Sequence, residues 1–307
     1  RKEMNRVRNN KLAIVIFILP AAWLFLGIII VPIFLSSYYS LLDWDGISEP
    51  TFIGLKNYVE IFTSSSIGFP KSVANVLLLA ALSLVVQLPI SLLLAIVLAN
   101  GVKGERFFLS VFFIPNLIST VVTGQLWMKI YNYEYGLLNL FLRAIGLESL
   151  TRIWLGDTKT ALGAVFVAQL WQYIGYNMLL LYAGIKSQSQ EVREAARIDG
   201  AGPVKMAFYV TIPQLKPVLK VCTIFAVVGS LKIFDLIYVL TDGGPVHASE
   251  VPSTLMVRMI FFRDRYGLGS SMAMFIIFIC FFFAILIKRL YGSEDKEEKR
   301  HVRHHKK

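Results

Sequence analysis

The chain has 307 residues, of which 56% are hydrophobic and 17% charged, against about 45–50% and about 25% in a typical soluble domain. That balance excludes an ordinary soluble fold. The net charge of +11 would suit nucleic acid, but its placement beside apolar stretches assigns it to membrane topology, and two cysteines are too few for a disulfide framework or a CxxC metal site.

Residues 1–11 form a basic arm. No charge occurs in 12–42, 72–102, 107–128, 160–185 or 266–287, and each window meets the roughly 20 residues a helix needs to cross a bilayer. A sixth span, 217–240, is apolar apart from Lys220, Lys232 and Asp235. The prediction is an all-α membrane protein with six transmembrane helices in one domain, 12–290, and a charged tail, 291–307. The first span is too long for a secretory leader and reads as a retained helix.

Span 1 is followed by an outside loop, 43–71, whose Trp44, with Tyr38 and Tyr39, fits an aromatic interface belt. Span 2, 72–99, reads as a packing or lipid-facing helix. Span 3, 107–130, carries Asn116, Thr120 and Thr123 at i, i+4, i+7, one face of a helix. That face either hydrogen-bonds to neighbouring helices or lines a pathway. Span 4, 160–185, carries Gln169, Gln172, Tyr173 and Tyr176 at i, i+3, i+4, i+7. A polar stripe is costly against lipid. It therefore turns inward, as pathway lining or as structural hydrogen bonding. Aromatic rings stack on pyranose faces and amides bind hydroxyls, so a sugar would suit it.

Glu191–Pro213 is a charged island between two apolar runs and reads as a short docking helix, about 188–202. Ser187 and Gln190 have capping-box spacing, and Gly200, Gly202 and Pro203 stop the helix. In span 5, Lys232 and Asp235 are spaced i, i+3 and can neutralise each other. An ionisable pair inside a span marks either a functional site or a self-satisfied structural pair. Ser230 and Tyr238 are its neighbours. Thr241–Pro245 ends the span in a turn, a short helix is expected at 254–262 as at 137–145, and span 6, 267–290, is rich in Phe, Ile and Met.

Most of the 31 Lys and Arg residues fall on the side that six spans give to both termini and the island, so the positive-inside rule places these in the cytoplasm.

Three blocks carry a family resemblance. Glu194-Ala195-Ala196, three residues, Gly200, nine residues, then Val210-Thr211-Ile212-Pro213 resembles the EAA signature of ABC importer permeases. Phe234–Pro245, FDLIYVLTDGGP, and Gly54–Tyr58, GLKNY, resemble segments of the sugar-uptake permeases of that group. The resemblance implies a type I importer permease fold in a bacterial cytoplasmic membrane, pairing with a second permease, two ATP-binding subunits and an extracytoplasmic sugar-binding protein. It implies that Glu191, Glu194, Ala195, Ala196, Asp199, Gly200, Ala201 and Pro213 couple to the ATPase. It also supports Asn116 and Thr120 as pathway residues, with Gln169, Gln172, Tyr173, Tyr176, Ser230, Lys232, Asp235 and Tyr238 completing the candidate path.

No GxxxxGK[ST] loop occurs, so ATP and Mg belong to the partner subunits and this chain carries no cofactor. HExxH and GxSxG are absent too, no catalytic residue or metal ligand set stands out, and nucleic acid has only the net charge in its favour. The leading expectation is a non-catalytic permease subunit of an ATP-driven sugar or oligosaccharide importer. The alternatives are a secondary transporter, or an intramembrane enzyme using Lys232 and Asp235.

Overall fold

The computed structural model describes the backbone of residues 11–304 and the side chains of residues 15–292. The expected basic arm, and the side chains of the tail beyond Gly292, lie outside the described residues. Helix α1 covers residues 11–39, and a two-strand hairpin, β1 (Leu42–Asp43) and β2 (Thr51–Phe52), follows it. Next come α2 (Lys56–Thr63), α3 (Phe69–Ala99), α4 (Glu105–Leu117), α5 (Thr120–Ile130), α6 (Leu137–Ala144) and α7 (Ala161–Lys186). The rest is α8 (Gln190–Ile198), α9 (Pro203–Gln214), α10 (Lys216–Leu231), α11 (Asp235–Leu240), α12 (Pro252–Phe261) and α13 (Tyr266–His304).

Among the described residues, α1, α3, α7 and the Tyr266–Gly292 part of α13 are long and apolar enough to cross a bilayer. The pairs α4–α5 and α9–α10 raise the number to six if each counts as one span. Two expected spans are therefore not continuous. Span 3 breaks at Ile118 and Ser119, both extended with ψ 137°, and its halves diverge by 100°. Pro115, Asn116 and Ser119 are poor helix formers, which weakens the helix there. Span 5 is interrupted after Leu231 and resumes as α11, while residues 203–214, just past the expected stop of the docking helix, form a further helix that meets α10 at 76°. Pro213 and Pro217 each remove a backbone donor on either side of that bend.

The described residues divide into two units. The first holds residues up to 65 with 256–275. Its hairpin pairs Leu42 with Phe52 and Asp43 with Thr51. The GLKNY block explains itself here: Asn57 is buried and its Nδ2 donates to Ser40 O at 2.9 Å and Leu42 O at 2.8 Å, while Tyr58 OH lies 2.9 Å from Ser40 Oγ. Trp44 stacks between Tyr39 and Tyr266, with ring centroids at 4.8 and 5.7 Å. Arg265 grips Glu60 with both guanidinium ends, at 2.5 and 2.8 Å.

That grip holds the Glu60 carboxyl below its usual range, through the hydrogen bonds first and the charge second. A lowered folded-state pKa contributes stability that is present above the unfolded value and is lost as pH falls through the folded one. Both side chains are over a third exposed, so the contribution stays below ~1 kcal/mol. Thermal melts of Glu60→Gln and of the parent should differ slightly at neutral pH and converge as pH drops through the carboxylate range.

The second unit holds residues 66–255 and 276 onward. Here α7 packs along α3 and α4, α10 lies against α3, and α11 lies against α5. Its core forms two apolar clusters. One contains Val76, Leu79, Val165, Ala168, Val227, Leu231 and Leu236; the other Leu88, Ala95, Leu98, Met178, Leu181, Ile185 and Cys222. Along both α3 and α7 the buried residues between the clusters are mainly polar: Ser83 and Gln87 on one, Gln169, Gln172 and Asn177 on the other. A polar layer between two apolar layers localises the place where a hydrophilic molecule can be accommodated.

Candidate functional site

A cavity of about 430 Å³ lies at that polar layer, bounded by α3, α4, α5, α7, α10 and α11. Its wall includes Gln87, Asn116, Thr120, Gln169, Tyr173, Tyr176, Asn177 and Ser230, with Phe225, Lys232, Phe234 and Asp235. Gln87 ends a five-residue π-helical turn of α3, Ser83–Gln87, which re-aims the side chains of an otherwise apolar helix. Ser230 is buried and anchors the cavity floor: it donates to Ala226 O at 2.9 Å and accepts from Ser83 Oγ and Gln169 Nε2, each at 2.9 Å. Gln87 Oε1, Gln169 Oε1 and Asn177 Oδ1 are buried acceptors with no hydrogen-bond donor in the described structure. Such groups cost about 1–3 kcal/mol each unless something donates to them.

The cavity gathers most of the residues expected along the path, with three differences. Gln172 is 2% exposed and turns away from the cavity; its Nε2 lies 3.3 Å from both Ile118 O and Thr120 Oγ1. Tyr238 is not part of the wall and stacks on Phe234, with ring centroids 5.2 Å apart. Lys232 and Asp235 do reach the wall, but no ion pair or hydrogen bond joins them to each other. The helical break explains this: Lys232 caps α10 with ψ 14° and Phe234 has φ −139°, so the i, i+3 geometry does not exist. The bend at Ser119 likewise ends the expected Asn116–Thr120–Thr123 face. Asn116 and Thr120 still meet at the wall, whereas Thr123 is fully buried.

Gln87 and Asn177 were not among the expected residues. Asn177 had a signal, because it extends the Gln169–Tyr173–Tyr176 stripe to i+8. Gln87 is a lone amide near the middle of an apolar span, itself a warning.

At the other polar region, α8 has no buried residue. Its cap position is Ser189 rather than Ser187, whose hydroxyl instead donates to Gly184 O at the end of α7. Glu191 sits in the first turn, and Glu194 accepts from Gln190 at 2.6 Å. Ala195 and Ala196 follow, and Ala201 N donates to Ala196 O and Gly200 N to Arg197 O, the paired bonds of a Schellman stop with Asp199 just before it. Gly200 has φ +80° there. Pro213 is not on α8 but in the last turn of α9. Exposed apolar side chains, Val192, Ile198, Val204, Phe208 and Tyr209, flank the charges; Ile198 is 86% exposed. Arg193 Nη2 donates to Asn100 Oδ1 at 3.1 Å, tying α8 to the turn between α3 and α4.

Known proteins match this architecture. The family described as binding-protein-dependent transport system inner membrane component matches residues 87–293. The probable ABC transporter permease protein YurN of Bacillus subtilis is 39% identical, over 95% of this chain and 100% of its own length. The trehalose/maltose transport system permease protein MalF of Thermococcus litoralis is 33% identical, over 88% and 90%. A crystal structure of a bacterial ABC transporter that imports the acidic polysaccharide alginate superposes with a TM-score of 0.79, at 21% identity and covering 95% and 99%. At that identity the superposition speaks for the fold alone, and the fold is that of a type I importer permease. Mostly helical, membrane-spanning and matched along most of its length, the chain belongs to the binding-protein-dependent transport system inner membrane component family and is an ABC transporter permease subunit.

Proposed function

We propose that the chain forms half of the translocation path of an ATP-driven importer for an uncharged saccharide. The observation that carries this reading is the run of uncharged amides on the cavity wall, Gln87, Asn116, Gln169 and Asn177, beside Thr120 and Ser230. Amides and hydroxyls both donate and accept, which suits a sugar's hydroxyls. The wall's two charges, Lys232 and Asp235, sum to zero, so nothing there favours an anionic ligand. Tyr173, Tyr176 and Phe225 offer apolar faces for a pyranose ring. The sugar systems named among the relatives agree with this class.

On this reading α8 is the cytoplasmic coupling helix. Its exposed charges and its apolar flank fit a cleft on a separate ATP-binding subunit, where ATP and Mg would sit. A second permease would complete the path, a binding protein would deliver the sugar from outside, and both termini would lie in the cytoplasm of a bacterial-type inner membrane. A likeness to an importer solved with its periplasmic binding protein supports the delivery step.

Replacing Gln87 or Asn177 by leucine removes an acceptor and part of the wall's polarity. Each change should lower saccharide import about five- to thirtyfold, equivalent to roughly 1–2 kcal/mol, with the chain still inserted. Radiolabelled mono- and disaccharide uptake into vesicles holding the whole transporter reads this. Unchanged uptake in both variants would remove the cavity from the path.

A further inference from the structure

We infer that Gln172 is the positioning residue of the broken third span: it pins the α4–α5 joint and so fixes Asn116 and Thr120 on the cavity wall. The break leaves a backbone problem. In an unbroken helix Ile118 O would accept from the amide four residues on, but the ladder restarts with Thr123 N donating to Ser119 O. Within a bilayer no water is at hand to replace the missing donor. Gln172 Nε2 supplies it from the neighbouring helix. It reaches Ile118 O and Thr120 Oγ1, one residue on each side of Ser119, both at 3.3 Å.

A single amide group therefore bridges the two halves of a span that diverge by 100°. Asn116 closes one half and Thr120 opens the other, and both line the cavity while Gln172 does not. One turn along α7, Gly175 lets the helix touch the α4 backbone: a Cβ there would lie 1.8 Å from Phe112 O. Close backbone contact and amide pin together hold α4 against α7 up to the break. The amide nitrogen makes both bonds, so a side chain of the same shape without a donor cannot replace it.

The inference uses the cavity's place in transport only to give the pinned residues a purpose; its test does not involve transport. Asn116→Cys, introduced into the chain in native membranes, reports the joint through its rate of labelling by N-ethylmaleimide. Gln172→Met keeps the bulk and removes the donor. It should change that rate by at least about threefold relative to the parent at every pH, as the loss of a buried hydrogen bond of about 1 kcal/mol would. Gln172→Glu gives the sharper signature, since a neutral carboxyl donates to Ile118 O and a carboxylate cannot. This variant should therefore move toward the parent as pH falls and toward Gln172→Met as it rises. Each rate is taken relative to Asn116→Cys alone at the same pH, which cancels the thiol's own titration. Equal rates in Gln172→Met and the parent, or a Gln172→Glu ratio that does not vary with pH, would overturn the pin. If Gln172→Met fails to insert, the pH series on Gln172→Glu decides alone. Uptake by Gln87→Leu and Asn177→Leu tests the substrate reading separately, so either idea can fail without the other.

Discussion

Gly200→Val should cut import about five- to thirtyfold while the chain inserts normally and Gly200→Asn imports near the parent rate. Gly200 closes α8 with φ +80°, the residue whose amide makes one of the two terminal bonds. A side chain in that left-handed conformation costs roughly 1–2 kcal/mol, and a β-branched one sits at the upper end. Asparagine visits the region far more readily, which is why it serves as the permissive control. Space is not the reason, since a Cβ at Gly200 would meet nothing within 4 Å. The backbone is. Valine would favour unwinding the last turn of α8, where Glu194, Ala195, Ala196 and Asp199 are presented. On the proposed coupling role, α8 acts as a lever between two proteins, and it would lose its rigidity there first. Uptake assays in vesicles, with the amount of chain in the membrane measured alongside, check the result. Import by Gly200→Val at the parent rate would show that the shape of the α8 terminus does not matter to coupling.

The parts legible in the sequence were those with a strong one-dimensional signal. Charge-free windows of bilayer length located the apolar segments, and turn residues located the 241–245 stretch, where Asp242 and Gly243 do take positive φ. The short helices at Leu137–Ala144 and Pro252–Phe261 followed from their own patterns. The two misreadings at the cavity share one cause: a periodicity argument assumes an unbroken helix. Asn116, Thr120 and Thr123 were placed on one face because 3.6-residue spacing was carried through Ile118 and Ser119, where the chain is extended. Lys232 and Asp235 were paired for the same reason across the Lys232–Phe234 break. Both breaks lie at the cavity. Irregular backbone at membrane depth is tolerated only where protein or a lined cavity satisfies it, so a failed periodicity and a candidate site coincide. Gln172 shows the converse. Its spacing put it on the polar face correctly, but spacing cannot say whether an amide faces a ligand or a neighbour's freed carbonyl.

Gly175→Ala and Gly163→Ala, one methyl group each on the same helix, should have opposite effects. At Gly163 nothing lies within 4 Å of a new Cβ, so alanine gains its helix propensity, about 0.5–1 kcal/mol, without a clash. At Gly175 the new Cβ would fall 1.8 Å from Phe112 O and 2.4 Å from its carbonyl carbon. Those are backbone atoms of α4, and they cannot rotate aside as a side chain would. Overpacking a well-packed core costs typically about 1–3 kcal/mol, and a contact with rigid backbone belongs at or above the top of that range. In a chain of this size each kcal/mol moves the melting temperature by roughly 2–4 °C. Gly175→Ala should therefore melt about 6–12 °C below the parent, and Gly163→Ala at or slightly above it, in the same detergent and at the same pH. The functional cost follows from geometry. Relief of the clash must push α4 off α7, and Asn116, one turn beyond Phe112, moves with it out of the cavity wall. Equal melting temperatures for the two variants would mean that α4 and α7 do not approach as closely as their glycine contact implies, and the third-span wall of the cavity would then have to be redrawn.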